Sequence, residues 1–185
     1  ELFNKFESNF NFINPEQKLV NIWKKKLDTL KGYKIGLCWQ GDPNYGRDFM
    51  RSIPLSNFEK LFSFSNVNFI SFVKGYGSEQ IKNFGYGERI FDITNKIDNG
   101  KNAYEDTIAM LKNLDLLITV DTSLLHIAST MNVKTWLIIH HSPDWRWNLK
   151  QENFQWYKNL TIFKQKIKFS WMEAIDEMYL KLKDE

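Results

Sequence analysis

The chain has 185 residues, 43% hydrophobic and 16% aromatic, with a formal net charge of +3. That is enough apolar material for one folded domain with a substantial core, and too much for a disordered chain. The weak positive charge does not demand nucleic acid as a partner, no apolar run reaches the ~18 residues of a membrane span, and the N-terminus lacks the basic-then-apolar pattern of a signal peptide.

After an irregular, Phe- and Asn-rich start, the spacing of Leu19, Trp23, Leu27 and Leu30 predicts a helix from Pro15 to about Leu30, ended by Gly32. Residues 1–31 read as a connector segment and helix, and residues 32–185 as one domain. There follow a strand at Lys34–Trp39, a polar loop at Gln40–Ser52, a helix near Ser56–Phe64, a strand at Asn68–Val73 and a short helix after Ser78. A strand at Arg89–Ile93 and a helix over Ala103–Leu114 come next. The strand Leu116–Val120 then runs into a helix read from Leu124, Ile127, Ala128 and Met131, and Thr135–Ile139 forms another strand. Pro143–Gln155 is a loop or irregular helix, Leu160–Phe163 an edge strand, and Trp171–Leu182 a closing helix. Alternating strands and helices give an α/β fold, a Rossmann-like doubly wound parallel sheet. The chain starts without Met, at Glu1, which reads as an excised fragment. Its one cysteine, Cys38, excludes an internal disulfide and fits a reducing, cytoplasmic setting. Lys24, Lys25 and Lys26, like Lys164, Lys166 and Lys168, read as a solvated face or edge.

In such a sheet ligands bind beyond the C-terminal strand ends, where the strand order reverses. The loop after the first strand supplies Gln40, Gly41, Arg47 and Arg51, the second Lys74, and the fifth His140, His141, Asp144 and Arg146. Between them lies Asp121-Thr122-Ser123-Leu-Leu-His126. A helix starting there points unpaired N–H groups and its positive dipole end at an anion, and phosphate is the usual occupant. Thr122 and Ser123 add hydroxyl donors, and His126 would lean back toward the helix start. Elsewhere Asn14 with Gln17, Ser56 with Glu59, Asn102 with Glu105 and Ser170 with Glu173 have capping-box spacing. Thr122 has Leu125 at that spacing, so its donors stay open. The competing reading is that Thr122 is a plain cap and His126 an ordinary half-buried histidine. Arginine and lysine around such a start suit a diphosphate, since guanidinium binds phosphate oxygens in a fork.

Three other signals are weaker. Gly75-Tyr-Gly77-Ser-Glu-Gln80 resembles a dinucleotide fingerprint but has Gln80 at the third glycine position. His140 and His141 are adjacent at a strand end, so their side chains diverge and do not suit a shared metal. No Asp-x-Asp pair occurs, which favours arginine, lysine and helix dipole over metal as the neutraliser of a diphosphate. Trp145 and Trp147, flanking Arg146, read equally as surface packing or stacking residues.

The succession Lys34-Ile-Gly-Leu-Cys-Trp-Gln-Gly41, Arg51-Ser-Ile-Pro-Leu55, Phe69-Ile-Ser-Phe-Val-Lys74-Gly75, Asp115-Leu-Leu-Ile-Thr-Val-Asp121-Thr-Ser-Leu-Leu-His126 and Pro143-Asp-Trp-Arg-Trp147 resembles the C-terminal domain of GT-B glycosyltransferases. Within that superfamily it is most similar to the heptosyltransferase-like family 9 enzymes, and to the related domain that follows tetratricopeptide repeats. The resemblance covers about residues 15–165. It implies binding of a nucleotide sugar, with Arg51, Asp121, Thr122, Ser123 and His126 at the diphosphate and Glu105 or Asp106 at the ribose; from the loops beyond the strand ends, Gln40, Gly41, Lys74, Asp144 and Arg146 are further donor-site candidates. With no Asp-x-Asp pair, no metal is expected, and no cofactor beyond the donor. Ser123 departs from the glycine usual in heptosyltransferases, which would hold the ligand further from the backbone. The acceptor domain, which usually supplies the base, is missing from this chain. The expected activity is metal-independent glycosyl transfer once that half is joined. The alternatives are a non-catalytic nucleotide-binding or scaffold module and, more distantly, a nicotinamide oxidoreductase.

Overall fold

Six strands form one all-parallel sheet in the order β3-β2-β1-β4-β5-β6. They are β1 (Tyr33–Cys38), β2 (Val67–Ser71), β3 (Ile90–Phe91), β4 (Leu116–Val120), β5 (Thr135–Ile139) and β6 (Leu160–Lys164). The structure is a computed structural model and describes residues 13–100, 102–147 and 156–185. The chain lays down β1, β2 and β3 outward in one direction, then returns to place β4 on the other side of β1. The order therefore reverses between β1 and β4, the point at which a doubly wound sheet opens a crevice. Registers run through Ile35 opposite Leu116 and Leu117 opposite Thr135. Every residue of β4 and β5 is buried, as expected of central parallel strands covered on both faces.

The helices are α1 (Gln17–Leu27), α2 (Asp48–Arg51), α3 (Gln80–Asn83), α4 (Glu105–Leu111), α5 (Ser123–Thr130) and α6 (Met172–Lys183). One core cluster runs from Ile35 and Leu37 through Phe58, Phe62 and Phe69 to Met178 of α6. A second joins Trp23 and Leu27 of α1 to Ile70, Ile97 and Met110. Phe69 and Ile70 are neighbours in β2 and point to opposite faces, so the two clusters cover the two sides of the sheet. The helix expected in the connector thus packs on α4 as part of the second layer. Among the described residues no helix is long and apolar enough to cross a membrane.

Several local expectations need correction. α1 ends at Leu27 with Asp28 as its C-cap, so Gly32 is not its stop. Gly32 instead makes the turn into β1 at φ +99°, where a Cβ would come within 2.5 Å of the Asn66 carbonyl oxygen. Leu55–Ser63 is a 3-10 helix and not an α-helix, and α4 is shorter at both ends than expected. None of the four capping boxes forms: the N-caps are Glu16, Pro54, Tyr104 and Trp171, each without a side-chain cap bond. Asn102 does meet Glu105, but side chain to side chain at 2.6 Å. The start of α4 is closed from elsewhere, as the Asp98 carboxylate accepts from Asp106 N at 2.8 Å and from the Thr107 hydroxyl. α5 is therefore not distinguished by being the one unboxed helix. The expected loop or irregular helix at Pro143–Gln155 is turned through Trp147, and its remainder, 148–155, lies outside the described residues.

Candidate functional site

A cleft of about 720 Å³ opens beyond the C-terminal ends of β1, β2 and β4, a size suited to a cofactor or nucleotide. Each wall follows from a strand end. Gln40 and Gly41 come off β1, Val73 and Lys74 off β2, Asp98 from the loop after β3, and Thr122 and Ser123 from the turn between β4 and α5. Thr122 is the extended N-cap of α5 (φ −133°, ψ 172°) and makes no capping bond. Its Oγ1 is buried without an oxygen or nitrogen partner and faces the Cys38 thiol, a weak partner at best. A free hydroxyl at a helix start is a donor in waiting for an anion. Burial raises the pKa of the Cys38 thiol, which keeps it protonated and inert.

Arg51 stands on the wall between this cleft and a smaller one of about 320 Å³. It is pinned on one side by Asp48, Nε to Oδ1 at 2.8 Å, and donates through Nη1 to the Asp121 carbonyl at 2.9 Å. Asp48 is buried and accepts also from Gln40 Nε2 and Ser52 Oγ, both at 2.7 Å. Ser52 Oγ in turn accepts from Gly41 N at 2.8 Å. Gly41 is required here, since a Cβ would lie 2.3 Å from Asp48 Oδ1 and 2.5 Å from Arg51 Nε. The polar loop after β1 is thus a closed network that aims one guanidinium at the crevice.

The expected residues divide. Gln40, Gly41, Lys74, Thr122 and Ser123 line the larger cleft, Asp121, Asp144 and Arg146 the smaller, and Arg51 both. Lys74 Nζ is held by the carbonyl of Ile97 at 2.7 Å and Asn99 Oδ1 at 2.9 Å, so it ties down the loop behind the cleft. Glu105 and Asp106 line neither cleft. Asp106 accepts from the Trp23 indole at 2.8 Å and from Asp98 N at 3.0 Å, fastening α1 to α4. His126 also lines neither: its ring stacks on Trp147 at 5.9 Å and 12°, and its Nδ1 meets the Tyr157 hydroxyl at 2.9 Å. The ring is held between Trp147 and Tyr157, which half-bury it. The Gly75 to Gln80 segment is a turn with Gly75 and Gly77 at positive φ, closed by Trp39 Nε1 donating to the Gly77 carbonyl at 3.1 Å.

Sequence reading missed Asp98, Tyr76 and Tyr104 in the larger cleft. Tyr104 sits in the left-handed region at φ 68° with its hydroxyl 3.2 Å from Ser123 Oγ, a backbone cost of the kind kept at working sites. It has no local signal. Asp48, which orients Arg51, was missed because it sat in a stretch read as loop. Among the described residues no group of three or more His, Cys, Asp or Glu is gathered closely enough to hold a metal. His140 and His141 have ring centroids 6.0 Å apart, and His140 lines the smaller cleft.

Burial lowers the pKa of His126 below its ordinary 6.5, with nearby Asp121 acting the other way. The unfolded chain then takes up a proton that the folded one refuses. The neutral imidazole's contribution to stability is complete above about pH 6.5 and is lost as pH falls below it. Stability should drop more steeply between about pH 7 and 5 in the native chain than in His126→Asn. Equal slopes by chemical denaturation would mean that the ring is as hydrated folded as unfolded. His140 is shifted in the same direction and is common to both proteins.

No family model matches the sequence, and no curated protein is similar to it. Solved structures do share its fold. E. coli ADP-heptose lps heptosyltransferase II superposes with a TM-score of 0.59 at 10% identity, over 92% of this chain and 54% of that one. E. coli heptosyltransferase WaaC with ADP-2-deoxy-2-fluoro heptose gives 0.55 at 12% identity, over 92% and 50%, and WaaC with ADP gives 0.53 at 10%, over 87% and 47%. The chain spans about half the length of these structures. It has a Rossmann-like fold of the kind found in glycosyltransferases.

Proposed function

We propose that the chain is the nucleotide-sugar-binding half of a heptosyltransferase-like GT-B glycosyltransferase. The observation that carries this is the coincidence, at the β1/β4 reversal, of a cleft of about 720 Å³ with an uncapped helix start and a Thr122 hydroxyl that has no oxygen or nitrogen partner. A nucleoside diphosphate placed there meets the first turn of α5, Thr122, Ser123 and Arg51. Those groups stabilise negative charge as it grows on the departing diphosphate, which is where differential binding lowers a barrier. The exposed rings of Tyr76 and Tyr104 offer faces for the base. His126, Glu105 and Asp106 take structural parts in this reading. Transfer is metal-independent in it, since no Asp-x-Asp pair exists and arginine with the helix dipole does the neutralising. The acceptor half and the base come from outside this chain, in an N-terminal acceptor or tetratricopeptide-repeat domain of a cytoplasmic protein.

The test is calorimetric titration of the chain with UDP, ADP and GDP and the matching nucleosides. One diphosphate should bind at least about tenfold more tightly than its nucleoside, ~1.4 kcal/mol, and its affinity should survive EDTA. Equal affinities would remove the diphosphate assignment, and affinity restored only by added magnesium or manganese would remove metal independence. A chain that binds none of them is better described as a scaffold module.

A further inference from the structure

We propose that the smaller cleft is a second oxyanion site, built for the carboxylate or phosphate of an acidic sugar or acceptor. Its walls bring together Arg47, Arg51 and Arg146, with Tyr45, His140 and Asp121. Two come from the two ends of α2, Arg47 at its N-cap and Arg51 at its last residue, and the third from the turn after β5. Convergence of three cations on about 320 Å³ is electrostatically unfavourable unless something negative offsets it. Asp48, Asp121 and Asp144 match the three in number, but their bonds are directed elsewhere than at Arg47. Asp48 is used on Arg51, and Asp121 Oδ2 accepts from the Trp147 indole at 2.8 Å. Asp144 reaches Arg146 Nη1 only at 3.3 Å while also accepting from Arg146 N at 3.1 Å. Arg146 Nε is buried and has no hydrogen-bond partner, and Arg47 has no carboxylate within ion-pair distance among the described residues. The exposed Arg47 thus offers a whole fork of the kind that binds carboxylate or phosphate in two parallel bonds, with the Arg146 Nε–H buried beside the cleft without an acceptor.

Arg51 divides this cleft from the larger one, so a ligand whose diphosphate lies at Thr122 and Ser123 presents its next group to the smaller cleft. Which molecule carries the acid rests on the nucleotide-sugar reading; the oxyanion site itself does not. The acid belongs either to the transferred sugar or to the acceptor that meets it there.

The experiment is NMR titration of the chain with inorganic phosphate, D-glucuronate and D-glucose, following the arginine Nε–H and tryptophan indole N–H signals. Phosphate or glucuronate should shift Arg146 Nε–H and Trp147 Nε1–H where glucose does not, and Arg146→Gln or Arg47→Gln should weaken that binding roughly tenfold. Arg47 is exposed, so its variant folds even if the other does not. Shifts confined to the Thr122 and Ser123 amides, equal response to glucose, or unchanged affinity in Arg47→Gln together with Arg146→Gln would overturn the site. A chain that fails to bind any nucleotide but retains the Arg146 response refutes the proposed function and leaves this site standing. To separate the sources, glucuronate is titrated into chain already saturated with the preferred nucleoside diphosphate. Undiminished binding assigns the acid to the acceptor, and tighter binding of that nucleotide's uronic acid conjugate than of its neutral sugar conjugate assigns it to the donor.

Discussion

Asp48→Ala is expected to cost about 3 kcal/mol of stability and, if the proposed diphosphate site holds, to weaken diphosphate binding in the same protein. The carboxylate is buried and satisfies three donors at once, Arg51 Nε, Gln40 Nε2 and Ser52 Oγ. Removing it leaves a largely buried guanidinium without its partner, and breaking such a pair from one side costs about 3–5 kcal/mol, with the low end apt because Arg51 keeps 23% of its side-chain surface in water. For a chain of this size that corresponds to a melting temperature lower by about 6–12 °C. Asp48→Asn should lose less, because it retains an acceptor for Arg51 while facing Gln40 with a second donor. Gly41→Ala attacks the same network by crowding, since its Cβ meets both charged groups below 2.6 Å. A melting temperature unchanged in Asp48→Ala would show that water satisfies these donors and that the loop does not depend on the pair.

The second large effect is expected at Trp147. It is 4% exposed, belongs to the cluster of Leu125, Leu137, Ile139 and Leu160, stacks on His126, and donates to Asp121. Trp147→Ala should cost about 3–5 kcal/mol, the usual penalty for emptying an aromatic core site. Trp147→Phe separates the two roles. It keeps most of the packing and forfeits the N–H, so stability should fall by only about 1 kcal/mol while the Asp121 carboxylate loses its anchor at the smaller cleft. Denaturant midpoints of both variants, read beside phosphate titrations, make the comparison. Equal loss in the two would assign the effect to the hydrogen bond rather than to the ring.

The strands that matter most to the site were legible to the residue. Leu116–Val120 and Thr135–Ile139 are unbroken apolar runs between polar turns, and burial on both faces leaves such runs no other role. Boundaries set by tertiary partners were not. α4 begins where the Asp98 carboxylate closes its first turn through Asp106 N, eight positions on, and the 3-10 helix begins where Gln80 accepts from Leu55 N, so at these two starts a distant partner stands where the capping box was expected. In the loop after β1 the candidates Gln40, Gly41 and Arg51 could be named from chemistry alone. Asp48, which orients them, could not, because its role exists only once the loop has folded back on itself.

By itself the sequence determined the α/β class, the succession of strands and helices, and the Asp121-Thr122-Ser123 turn between a buried strand and a helix, because apolar periodicity and chain polarity are local properties. It also determined the cationic character of the loops beyond the strand ends. Only the tertiary structure decided that the candidates divide between two clefts with Arg51 on the wall. It alone decided that Asp106 fastens α1 to α4, that Lys74 holds a loop, and that His126 faces Trp147 and Tyr157. The reason is geometric: a side chain's partner is whatever the fold brings within about 3 Å, and for Trp23 and Asp106 that partner lay 83 residues away.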